Sequence, residues 1–153
     1  MDTADLRRAY DVLLAEAERG DFRPPPPGEW TAEQIVAHVA ANDELMIEAT
    51  EAVIAGSPWV CYNHNTIHRP QLDALVANCA GLPGLVRLLR DTSSRLCDLT
   101  GRLDDLSSAP VDTHIRHGLD IRIDEQLPWG RTLDIHGRLH LPAHTEQLRA
   151  LHA

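Results

Sequence analysis

The chain has 153 residues, of which 43% are apolar and 24% charged, and its formal net charge at pH 7 is −9. It is too apolar for a disordered chain and long enough to bury the core of a single domain, 1–153. The acidic balance argues against a nucleic-acid partner. No apolar run approaches the ~20 residues of a membrane span. The acidic start Met1-Asp2-Thr3-Ala4-Asp5 lacks the basic end and apolar core of a signal peptide, so no membrane association and a cytoplasmic location are expected.

The pattern predicts a first amphipathic helix over about Asp2 to Arg19, with Leu6, Tyr10, Leu13, Leu14 and Ala17 on one face and Gly20 as its stop. Four consecutive prolines, Pro24 to Pro27, then read as an extended spacer, since proline has no amide proton and restricts the residue before it. Thr31 and Gln34 form a capping box for a helix from Ala32 to about Ala55, with Trp30 placed to staple onto Ile35. Ile35, Val39, Leu45, Met46, Ala49 and Val53 make its apolar stripe, with His38 and Asn42 beside it.

Pro58 to Pro70 reads as an irregular loop whose Trp59, Asn63 and His64 offer pocket-lining side chains. A short helix is expected over Leu72 to Ala80 and a long one over about Pro83 to Gly101. Val111 to Ile123 alternates weakly and suggests an extended segment or hairpin around His117-Gly118. Pro128-Trp129-Gly130 introduces a last helix to about Leu151, with Trp129 as a further pocket candidate. Four long helices without a convincing sheet make the expected fold all-α, a four-helix bundle whose long loops permit crossover connections. Cys61, Cys79 and Cys97 are odd in number and have no C-x-x-C pair. That excludes a disulfide framework or a cysteine-rich zinc site, and Cys79 and Cys97 are expected to be buried thiols.

The last helix carries His136, His140 and His144 at intervals of four. Residues four apart share a helix face, so two such imidazoles can close on one metal ion. Bundles build metal sites from inward-facing side chains of neighbouring helices. His38 with one histidine pair would supply three nitrogens and leave coordination open, which is catalytic in character. The spacing leaves two pairs available, His136 with His140 or His140 with His144. Asp43, Glu44 and Glu146 are nearby carboxylates without a clear place on the same face.

Gly28-Glu29-Trp30-Thr31 through His38-Val39 resembles the early signature of the DinB/YfiT-like superfamily, and His140-Leu141-Pro142-Ala143-His144-Thr145-Glu146-Gln147-Leu148 resembles its late one. The resemblance spans essentially the whole chain. It implies a four-helix bundle, a homodimer, and a divalent metal held by His38, His140 and His144. Zinc is the first expectation, and nickel or iron also suit imidazole ligands. It further implies a small-molecule substrate and a low-molecular-weight thiol as cosubstrate, in a mycothiol-type S-transferase or isomerase. A metal-dependent hydrolase or biosynthetic tailoring enzyme fits the same residues, as does a non-catalytic binding bundle with a structural metal. Two positions depart from the pattern. Pro142 between the paired histidines should bend the helix, which would make His136 either a ligand in place of His144 or a pocket residue orienting one. The Asp that often follows the first histidine has Asn42 and Asp43 as counterparts.

Overall fold

The computed structural model describes residues 1–117 and 121–152, without the side chains of His117 and Ile121. Its helices are α1 (Ala4–Arg19), α2 (Ala32–Ala55), α3 (His64–Ile67), α4 (Arg69–Asn78), α5 (Leu82–Gly101), α6 (Trp129–Ile135) and α7 (Leu141–Ala150). The strands are β1 (Val60–Tyr62), β2 (Pro110–His117) and β3 (Ile121–Pro128). Four helical columns form the bundle: α1, α2, α5, and the stack of α6 and α7. Leu13, Val36, Val39, Leu89, Leu96 and Leu148 meet between them with no exposed surface. Each such side chain contributes about 1.5–3 kcal/mol by leaving water.

Helix α2 begins as its sequence indicates. Thr31 accepts from the Gln34 amide while the Gln34 side chain accepts from the Thr31 amide, and Gly56 ends the helix at φ 69°. The proline run leads from Phe22, which pairs with His152, into a turn where the Glu29 amide donates to Pro26.

The helical bundle is as expected, and it carries in addition a small three-stranded sheet in the order β1-β2-β3, two of whose strands form the hairpin that the alternation suggested. Strand β1 lies inside the segment expected to be irregular and pairs in parallel with β2, Cys61 opposite Thr113. Strands β2 and β3 form an antiparallel hairpin from Pro110↔Pro128 to His117↔Ile121. The turn expected at Gly118 lies outside the described residues. Side chains two apart share a face of a strand, so Val111, Thr113 and Ile115 point the same way, joined across the register by Cys61 and Ile123. Cys61 and Cys97 are buried, whereas Cys79 is only half-buried, contrary to expectation; all three are free thiols. Among the described residues, no single helix is long and apolar enough to cross a membrane.

The last helix is also not continuous. His136–His140 form a π-helical turn between α6 and α7, in which the Leu141 amide donates to the His136 carbonyl five residues back. Pro142 follows in the first turn of α7. A wider turn there absorbs the proline, which has no amide to donate and whose ring would crowd the preceding turn. Gly137 lets this turn lie against α1, since a Cβ there would come within 3.3 Å of Leu6 Cδ1.

Candidate metal centre

The π turn determines which way each late histidine faces. His140 Nε2 lies 2.9 Å from His38 Nε2 and 3.0 Å from His144 Nε2. One nitrogen from each of these three imidazoles falls within 4.8 Å of the others. His136 meets the opposite side of the His140 ring, Nδ1 to Nδ1 at 2.9 Å. The geometry thus groups His140 with His144 and His38, and puts His136 behind His140.

Hydrogen bonds behind the cluster determine the tautomers. A carbonyl oxygen only accepts, so His38 Nδ1–H donates to the Thr66 carbonyl at 2.5 Å and His144 Nδ1–H donates to Gln147 Oε1 at 2.7 Å. Each Nε2 therefore carries a lone pair. For His140 the direction is imposed from farther away. Tyr10 donates to Asp43 Oδ1 at 2.5 Å, and Thr92 donates to Asp43 Oδ2 at 2.8 Å. With its proton committed, the Tyr10 oxygen accepts from His136 Nε2 at 2.7 Å. His136 Nδ1 then accepts from His140 Nδ1–H, and His140 Nε2 also presents a lone pair. Three neutral imidazoles turned on one point are a donor set for a soft or borderline divalent cation.

Asp43 and Thr92 have no exposed surface, and Tyr10 and His136 are 2% and 3% exposed. Burial, then the Asp43 carboxylate, pushes the Tyr10 phenol well above its ordinary range, so it remains an O–H donor. Carboxylate, phenol and imidazole in series serve the role that a carboxylate bonded directly to a ligand histidine serves elsewhere. They hold its tautomer and ring plane.

Local structure places the remaining supports. Asn63 lies just after β1, and its side chain pairs with both backbone groups of Arg116 at 2.7 Å. Its carbonyl accepts from the amide and hydroxyl of Thr66. The Thr66 carbonyl is thereby fixed for His38. The Trp30 ring lies 5.0 Å from that of His38 and stacks 6.3 Å from that of His144.

Two cavities each have one of the three histidines in their walls. One, about 410 Å³, is lined by His140, His136, Asn42 and Asn63 with apolar residues of α2, α6, β2 and β3. The other, about 650 Å³, is lined by His144, Gln147, Trp30 and Glu29. Trp59 and Trp129, both expected at the pocket, lie elsewhere. Trp59, just before β1, lines a different hollow with Pro110, and Trp129 is fully buried with its indole N–H on Thr50. Glu44 and Glu146 turn outward to Arg95 and Arg149. Sequence reasoning missed Tyr10, Thr92 and Thr66. Tyr10 was visible only as an apolar-face residue, and a backbone carbonyl leaves no mark in a sequence.

Fold and cluster together define a helical bundle with a histidine-rich candidate metal centre. No family model matches the sequence, and no curated protein matches it. Among solved structures, the fold is similar to the crystal structure of the mycothiol-dependent maleylpyruvate isomerase, with a TM-score of 0.70 over 94% of this chain. Identity is 18%, and the match spans 57% of that chain, so the likeness is one of fold.

Proposed function

We propose that this chain is a divalent-metal-dependent enzyme with His38, His140 and His144 as ligands, working with a low-molecular-weight thiol as a transferase or isomerase. The observation that carries the reading is that two separate cavities each have a member of the cluster in their walls, His140 in one and His144 in the other. Two cavities give a thiol and a second reactant separate places beside the cluster, an arrangement that hydrolysis of one substrate does not call for. The fold shared with a mycothiol-dependent isomerase supports the same choice. Zinc suits the three imidazoles.

A divalent ion at this point would lower the pKa of a thiol brought to it, giving a nucleophile at neutral pH. The chain's own residues prepare the place. The Thr66 carbonyl, Gln147 and His136 keep the three Nε2 lone pairs turned inward, and Trp30 shields His38 and His144 from one side. The cavity with Glu29 and Gln147 has the polar groups to receive a polar thiol.

Cobalt-substituted protein titrated with mycothiol, bacillithiol and glutathione tests this. One of them should produce a thiolate charge-transfer band and support turnover of an electrophilic substrate. A bound metal whose spectrum none of them perturbs would overturn the thiol reading and favour a structural ion or hydrolysis.

A further inference from the structure

The cavity that carries His140 has a composition the proposed chemistry does not require. Its walls include Leu45, Met46, Ile115, Ile123, Ile135 and Leu139, and none of the described residues lining it is Asp, Glu, Lys or Arg. The ionisable groups there are Cys61, His136 and His140. Burial pushes the Cys61 thiol up to about 11, which keeps it uncharged. Both ring nitrogens of His136 are engaged, by Tyr10 and by His140.

We infer that this cavity binds an uncharged, largely hydrocarbon small molecule, and that this molecule is the second reactant. At about 410 Å³ the cavity falls within the range of small-molecule sites. Without a metal ion at the three histidines, an anionic group would lose its hydration there without meeting a cation, whereas an apolar group gains by leaving water. The selectivity is built by the hairpin, since Ile115 and Ile123 face each other in register and close one wall. The role as reactant rests on the metal-enzyme reading. The binding preference stands without it.

The test uses the full-length chain, as purified and after chelation, with phenethyl alcohol, ethylbenzene and phenylacetate as probes in calorimetric titrations. In chelated protein, phenethyl alcohol should saturate one site and phenylacetate should bind more than about tenfold more weakly, for want of a counter-charge. Ethylbenzene should also saturate the site, since the walls supply apolar contact and no charge. Ile123→Lys should reverse the order of alcohol and acid, with circular dichroism confirming the fold. Phenylacetate binding as tightly as the alcohol, or no saturation by either neutral probe, would overturn the inference. So would a dimer, seen by sedimentation, whose formation excludes the neutral probes. Metal content is measured separately on the same samples. Probe binding without metal binding defeats only the metal reading, and metal binding without probe binding defeats only this one.

Discussion

Replacing Tyr10 by phenylalanine tests the chain of hydrogen bonds behind His140. The change removes one oxygen and leaves the ring. Two buried partners lose their bond, Asp43 Oδ1 and His136 Nε2. Each orphaned group costs about 1–3 kcal/mol, more when charged. Part is recovered, because His136 Nε2 already lies 3.5 Å from Asp43 Oδ1 and can close on it. The net loss should be about 2–4 kcal/mol, or about 5–15 °C in Tm for a domain of this size. A shift of the His136 ring toward Asp43 also draws it off His140 Nδ1, and losing such support typically weakens metal affinity about 10–100-fold. Thr50→Val is the control. It orphans the buried Trp129 indole N–H, far from the histidines in the hydrogen-bond network, for a similar cost in stability. Chemical denaturation of the metal-free proteins and competition with a chromophoric chelator read the two quantities. Tyr10→Phe should lose both stability and affinity, and Thr50→Val stability alone. Undiminished metal affinity in Tyr10→Phe would refute the claim that this chain orients His140.

Two further outcomes follow from the supports around the site. Asn63→Ala removes the clasp on Arg116 and frees the turn that presents the Thr66 carbonyl to His38, so metal affinity should fall about tenfold with the helices intact by circular dichroism. In the hairpin, His114 donates to the Asp124 carboxylate and then to Asp112, and these bonds raise its pKa above 6.5. A raised pKa in the folded state means that this contribution is full below 6.5 and is lost as pH rises through the folded value. An NMR titration should find the His114 midpoint above 6.5, and Asp124→Asn should bring it back toward that value.

What could be read from the sequence was local. The capping box at Thr31 and Gln34 acts within one turn, so four residues suffice to specify it. The i,i+4 histidines announced a shared face for the same reason. The rest depended on distant partners. Strand β1 is three residues long and exists through pairing with β2, about fifty positions later, which no property of Val60-Cys61-Tyr62 announces. Asp43 sits in the polar run Asn42-Asp43-Glu44, and its burial is decided by Tyr10 on α1 and Thr92 on α5. Pro142 signalled a distortion, but not that a π turn would take it up and send His136 and His144 to opposite sides of His140.

In the proposed centre, His38, His140 and His144 together hold one divalent ion. Equilibrium dialysis with elemental analysis, applied to the wild-type chain, to the three single alanine variants of these histidines and to His136→Ala, measures this directly. One ion per chain should bind to the wild type, with each variant weakened by about a hundredfold or more and His136→Ala by less. Stoichiometric binding that survives His38→Ala, or no binding by the wild type, would contradict it.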